Sequence, residues 1–391
     1  MNLTVNSKNR ILIAYQYLSF KGGIEEVIIN QAKELKKLGY PVRILTSTYS
    51  KTDLDRIEDN IEIVRIPSIN IAYKIFGIPF AVPILTPHNV MKIYNEIANS
   101  DVINIHGHPY LASFVYVYIA KRLKKHIVLT QHNTEIFSNS IFVNLIYKLF
   151  DKTLGKYNLD NSTDVIAGSK ATKKYIQKIT NNKNIKVIYN GVDNERFYTK
   201  YSKSFLRKKL NIPINKFVCL TIRRITFKNG IDNLSKAAEL SKNSHVLFLI
   251  GGTGPDLKST KKYIQKRGFK NVKLVGYISD NNLPLYYSAA DVFILPSRKG
   301  EGFPMAILEA MSAGLPVIAT KSGGHTEIIK NGKTGFQVET QNPKQINLYI
   351  DTLFNNKELQ NRISKNCRDV MIRKFTWEKN IDSLLKVINK V

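Results

Sequence analysis

Acidic side chains are scarce in this chain. Asp and Glu total 30 against 59 Lys and Arg in 391 residues, a formal net charge of +29. Such an excess favours anionic partners: nucleic acid, a membrane surface or a phosphorylated small molecule. Residues 1–200 carry 27 basic and 16 acidic groups, so +11, and the remainder 32 and 14, so +18. The charge is therefore not a tail, and lysines on solvated helix faces account for much of it. Cysteine is nearly absent, with Cys219 in an expected strand and Cys367 in an expected helix. Two distant thiols make neither a disulfide framework nor a metal site, and a reducing cytosolic compartment is expected. Long apolar runs are lacking too. IFGIPFAVPIL (75–85) and YLASFVYVYIA (110–120) have 11 residues each, well short of the ~20 needed to span a bilayer. The opening MNLTVNSKNR and ILIAYQYLSF have the outline of a secretion signal, but no small-residue cleavage site follows. Neither a leader nor a transmembrane helix is expected.

What is present is a rhythm. Short runs of Ile, Val and Leu alternate with helical patterns, as in a parallel sheet covered on both faces. In the first half these runs are 10–15, 42–47, 62–67, 101–106, 126–131, 164–169 and 186–192. The clearest helix is IEEVIINQAKELKKL (24–38), stopped by Gly39. The rhythm breaks in the polar, basic stretch after residue 192. It resumes at 217–224, 245–252, 272–277, 291–297 and 316–324. Chain length agrees with two domains of roughly 150 to 200 residues. Two doubly wound α/β domains in tandem are expected, the carboxyl ends of both sheets facing a cleft.

Several stretches at expected strand ends carry chemistry. KGGIEE (21–26) places Gly22 and Gly23 where a helix start can accept an anion, although a Gly-Gly turn is common for steric reasons alone. GGTGPD (251–256) fails the dinucleotide fingerprint at its third glycine. TIRRITFKNG (221–230) ends a strand in Arg223 and Arg224, with Lys228 following. An arginine and a lysine on one loop can neutralise a diphosphate in place of a metal, or be ordinary solvated charges. His106, His108 and His132 sit at or just past strand ends, suited to hydrogen bonding more than to metal ligation. EGFPMAILE (301–309) carries two glutamates eight residues apart. With Pro304 in the first turn of a helix running to about Gly314, Glu309 lies on that helix and Glu301 in the loop before it. Ionised carboxylates accept hydrogen bonds from hydroxyls, so both can hold one ligand. The bland alternative pairs Glu309 with a base and leaves Glu301 solvated.

Together these stretches resemble a family-4 glycosyltransferase, a retaining enzyme of GT-B architecture with two Rossmann-like domains. The most specific part of the likeness is the pair of glutamates within PSRKGEGFPMAILEAMSAGLPVIATKSGGHTEII (296–329). YNGVDNERF (189–197) and the late FTW (375–377) also match. The resemblance implies an acceptor-side domain over 1–195, a nucleotide-sugar domain over 196–374, and a helix at 375–391 returning to the first. It implies that Glu309 binds the ribose and Glu301 the donor sugar, that Arg224 and Lys228 hold the diphosphate, and that His132 reaches the sugar near its anomeric centre. Backbone of Gly22, Gly23, Gly302, Phe303 and Pro304 would assist, and Gly276, within 275–277, would edge the base. Glu301, His132, Arg224 and Lys228 form the implied catalytic set. Arg223 stands where the family usually has glycine, and the loop from Arg224 to Lys228 is a residue shorter than in many members, so either arginine can face the phosphate.

The implied reaction moves a sugar from a nucleoside diphosphate sugar to an acceptor hydroxyl with retention, with no metal or other cofactor. A sugar or lipid-linked acceptor is expected in glycolipid, polysaccharide or glycoconjugate synthesis. The apolar 71–85 and the basic, apolar SIFVNLIYKLFDKTLGKY (140–157) are expected to meet an anionic membrane surface, making a cytoplasmic protein peripheral on the inner face. A nucleotide-sugar epimerase shares the architecture. A silent scaffold is disfavoured by the retained charged residues, and a nucleic-acid-binding protein by the lack of any recognisable module.

Overall fold

The computed structural model describes residues 8–18, 22–48, 56–58, 60–69, 81–135 and 137–390. Its contacts divide into two units: Met1–Ile136, Ser140–Tyr189 and Trp377–Val391 form the first, and Phe137–Asn139 with Asn190–Thr376 the second. The divisions fall at Tyr189 and Thr376 instead of at residues 195 and 374, because Asn190 and Val192 already bond within the second unit. Asn190 Nδ2 donates to the Phe303 carbonyl at 3.3 Å and Val192 N to that of Phe375 at 3.0 Å.

In the first unit the apolar runs become β1 (Ile11–Tyr15), β2 (Val42–Thr48), β3 (Arg56–Glu58), β4 (Ile61–Ile69), β5 (Val82–Pro83), β6 (Val102–His106), β7 (His126–Gln131), β8 (Asp164–Ala167) and β9 (Ile185–Val187). The order is β3-β4-β2-β1-β6-β7-β8-β9, with β5 on β4. All pairs are parallel except those of β3 and β5 with β4. Every residue of β1, β6 and β7 is buried, as strands covered by helices on both faces require. Alternate residues of β1 feed opposite cores. Ile11 and Ile13 join Ile28 and Leu35 of the helix Gly23–Lys37, whereas Leu12 and Ala14 join Tyr116 and Val117 of the helix Leu111–Arg122. The final helix, Trp377–Ile388, adds Ile381, Leu384, Val387 and Ile388 to the first of these cores. Its Asn380 is fixed by Gln31 Nε2 at 3.0 Å and donates to the Tyr189 carbonyl at 2.7 Å.

The second unit holds β10 (Phe217–Ile222), β11 (Val246–Gly251), β12 (Val272–Gly276), β13 (Val292–Leu295), β14 (Val317–Thr320) and β15 (Gly335–Val338). They run parallel in the order β12-β11-β10-β13-β14-β15. Strand order thus reverses beside β1 in one sheet and beside β10 in the other. Ligands of doubly wound sheets bind beyond the carboxyl ends of the strands at such points. The helix after β13 is Met305–Ser312, preceded by Pro304 as its N-cap and not as a first-turn residue. It ends two residues before Gly314, whose positive φ of 74° suits the turn out of the helix.

Candidate active site

Arg223 continues the line of β10, its N–H donating to Gly251 O at 3.1 Å. Alternation along the strand puts it on the side of Thr221, whose hydroxyl donates to the Ile294 carbonyl at 2.6 Å. The guanidinium thereby reaches the end of β13. It donates to Ser297 Oγ at 2.5 Å, to Asn229 Oδ1 at 2.5 Å and to Glu301 Oε1 at 2.9 Å. Ser297 Oγ donates to the same carboxylate oxygen at 3.2 Å, and Lys228 Nζ lies 3.9 Å from it while donating to Gly300 O at 3.2 Å.

Glu301 is 8% exposed, and Glu309, in the helix Met305–Ser312, 7%. Glu301 is therefore not solvated but the buried, ion-paired carboxylate, and Glu309 accepts from the Tyr287 hydroxyl at 2.7 Å. Burial by itself would push the Glu301 carboxyl up, but Lys228 and Arg223 overcome it and hold the pKa down to about 2. Arg224 stands apart from this cluster. Its side chain is exposed and makes no polar contact among the described residues.

Three close approaches lock these loops. A Cβ on Gly230 would stand 2.0 Å from Pro296 O, and one on Gly323 1.7 Å from Glu301 O, both at positive φ. Gly324 N donates to Gly302 O at 2.8 Å. The turn brings in His325, fully buried, with Nδ1 2.7 Å from the Thr320 carbonyl and Nε2 without a partner among the described residues. Burial lowers its pKa to about 4 against the opposing pull of Glu301. Phe303 is buried and packs on Phe375 with ring centroids 5.4 Å apart. Gly276 ends β12 at φ 78° with open space where a Cβ would stand. Among the described residues no three His, Cys, Asp or Glu side chains are grouped to hold a metal ion.

In the first unit, His106 ends β6 and His132 follows β7. His106 Nδ1 and His132 Nε2 are 2.7 Å apart. His106 Nε2 is buried without a partner among the described residues. A buried orphan lone pair costs less than a buried orphan N–H, so we assign the shared proton to His106, which leaves His132 protonated on Nδ1. Burial lowers the pKa of His132 to about 4 and also lowers that of His106. His108 lies elsewhere, its Nε2 2.9 Å from Asp151 on a π-helical turn, Asp151–Gly155. Gly22 caps the helix Gly23–Lys37, and Glu25 folds back so that its Oε2 lies 2.6 Å from where a Cβ on Gly22 would stand. A carboxylate there competes with any diphosphate.

Asn229, Ser297, Tyr287 and His325 belong to the second unit's cluster without having been singled out in the sequence. Asn229 carried a weak signal, the Asn-Gly dipeptide at the loop's end. The others are brought in by tertiary packing.

Comparison with known proteins follows the same division. Residues 21–196 match the family model for Glycosyltransferase Family 4, and residues 202–370 that for Glycosyl transferases group 1. An uncharacterized glycosyltransferase of Methanocaldococcus jannaschii is 28% identical over 98% of this chain and 98% of its own. The alpha-monoglucosyldiacylglycerol synthase of Acholeplasma laidlawii is 26% identical over 90% of this chain and 89% of its own. Among solved structures, Anabaena HepE in complex with UDP-glucose superposes with a TM-score of 0.79 at 21% identity, covering 97% of this chain and all of that one.

Proposed function

From the premise that this chain belongs to the family-4 glycosyltransferases of GT-B fold, and is thus a glycosyltransferase, we propose that it transfers a sugar from a nucleoside diphosphate sugar to a hydroxyl with retention of configuration. The observation that carries this reading is the cluster of Arg223, Lys228, Ser297 and Glu301 around the buried Glu301 carboxylate at the carboxyl ends of β10 and β13, with Glu309 on the helix that follows. Arg223 and Lys228 neutralise the diphosphate as it leaves, a role that asks for no metal. Glu301 holds that pair in place and accepts from hydroxyls of the donor sugar. Glu309, kept in one rotamer by Tyr287, accepts from the ribose. Backbone of Gly302, Phe303 and Pro304 serves the phosphates, and that of Gly276, with open space where a Cβ would stand, the base. From the first unit we propose His132 as the histidine that serves the sugar, through Nδ1–H; at Gly22 and Gly23 the Glu25 carboxylate holds the helix start and has to turn aside before an anionic ligand can use it. The course we propose, favoured by the family likeness, is departure and attack on one face, the leaving phosphate taking the acceptor proton.

HepE was crystallised with UDP-glucose, and the Acholeplasma relative is named as a lipid glucosylating enzyme. The first supports a nucleotide-sugar donor and the second a lipid-linked acceptor, which we propose this protein meets as a peripheral protein on an anionic cytoplasmic membrane face.

The test is a thermal-shift and hydrolysis screen against UDP-glucose, UDP-galactose, UDP-N-acetylglucosamine, GDP-mannose and ADP-glucose, with Glu309→Ala alongside. One donor is expected to stabilise the protein selectively, and Glu309→Ala to abolish that. No stabilisation or hydrolysis with any donor would overturn the reading, and sugar isomerisation without an acceptor would replace it with epimerisation.

A further inference from the structure

The helix Ile141–Phe150 is apolar on both sides. Its inner side, Val143, Tyr147 and Phe150, packs against Val82 and Tyr110. Its outer side leaves Ile141 79%, Phe142 62%, Leu145 59% and Leu149 59% exposed. At 100° per residue these four fall within about a third of the helix circumference. Lys148, and Lys152 on the next turn, point to the same side and are exposed. The acid of this stretch, Asp151, is turned inward onto His108 at 2.9 Å and the Tyr175 hydroxyl. Lys156 is spoken for by Asp160 at 2.7 Å. Two further exposed apolar residues, Ile84 and Leu85, lie just after Val82, which packs on this helix. Residues 71–80 of the apolar stretch expected to share this surface lie outside the described residues.

We propose that this face, built from Ile141, Phe142, Leu145, Lys148, Leu149 and Lys152, is a docking surface for an anionic lipid bilayer. It deepens the lipid-acceptor reading above by giving it a surface, and does not depend on donor chemistry. Exposed apolar side chains, bracketed by lysines without a counter-charge among the described residues, match the boundary between acyl chains and anionic headgroups. A second copy of the chain is a poorer occupant. A two-fold contact would set Lys148 and Lys152 against their own equivalents with no acid between. No described helix is long and apolar enough to cross the membrane, so the helix lies in the interface plane.

The experiment is sedimentation with vesicles of phosphatidylglycerol and phosphatidylcholine, or of phosphatidylcholine alone, at low and high salt, without nucleotide sugar. Wild type is expected to bind the anionic vesicles at low salt and to be released by salt. Leu145→Ser with Leu149→Ser should weaken binding about tenfold per site, and Lys148→Gln with Lys152→Gln about fivefold per site at low salt. All variants should keep the wild-type melting temperature and donor hydrolysis in vesicle-free buffer. Failure of wild type to bind anionic vesicles, or equal binding by the leucine variant, overturns the proposal. So does a wild-type dimer that the leucine variant dissolves. Loss of donor hydrolysis throughout with vesicle binding intact would count against the transferase reading alone.

Discussion

Replacing Glu301 by alanine leaves Arg223 buried, bonded to Ser297 and Asn229 but facing no charge. Two independent magnitudes meet on the cost. The Glu301 carboxyl falls from an ordinary 4.5 to about 2 in the folded chain, and a shift of that size corresponds to about 3 kcal/mol of stability at neutral pH. Removing one partner of a buried pair costs about 3–5 kcal/mol by general experience. For a unit of this size that lowers Tm by roughly 6–20 °C. The sign with pH is fixed by the depressed folded value. The contribution is complete above 4.5, shrinks as pH falls through the interval from 4.5 to about 2, and is gone below it. Calorimetry of wild type and Glu301→Ala from pH 7 downward should therefore show a wide gap that narrows only on entering that interval, with Glu301→Gln between the two. Equal melting temperatures at pH 7, or a gap that stays constant to pH 3, would refute the account of Glu301 as an ion-paired group.

Arg223→Ala and Lys228→Ala should each weaken nucleoside diphosphate binding tenfold or more by calorimetric titration, whereas Arg224→Ala should stay within about twofold, since each charge-assisted hydrogen bond is worth about 1.5–3 kcal/mol. A larger loss at Arg224 than at Arg223 would reverse the assignment. His132 and His325 have pKa values lowered from 6.5 to about 4 by burial. Stability they confer as neutral groups is complete above 6.5 and is lost as pH falls from 6.5 through 4. Urea midpoints should fall over that range, and His325→Gln should flatten part of the slope; an unchanged slope would mean that His325 is not buried neutral.

The strands that were legible are those whose environment leaves a composition. Covered on both faces, β1, β6, β7, β10 and β11 read as runs dominated by Ile, Val, Leu and Phe. β15 (GFQV) begins with glycine and carries a half-exposed Gln337, so the run is too short and too polar to register. β3 and β5 are brief antiparallel additions at one edge, and the π-helical turn at Asp151–Gly155 has no compositional mark. The two glutamates were legible as a pair because they share a loop and a helix. Which of them would be buried against a base was not, because Arg223 arrives 78 residues earlier in sequence, from β10. Alternation places Arg223 and Arg224 on opposite sides of the strand end, yet only the position of β13 decides which side is the site. The division at Tyr189 was hidden for a similar reason: YNGV reads as a strand, but its residues bond to Phe303 and Phe375.

The first unit is discontinuous in sequence. Its sheet ends with β9, yet Ile28, Leu35 and Ile44 still await Ile381, Leu384, Val387 and Ile388. On a ribosome, those partners emerge only after all of Asn190–Thr376 has been made. The second unit, continuous from Asn190 but for the three residues Phe137–Asn139, can close first, while the earlier half waits with an open apolar seam along the helix Gly23–Lys37. The order of synthesis and the order of completion are thus inverted, and the last turns of the chain decide whether its beginning is folded.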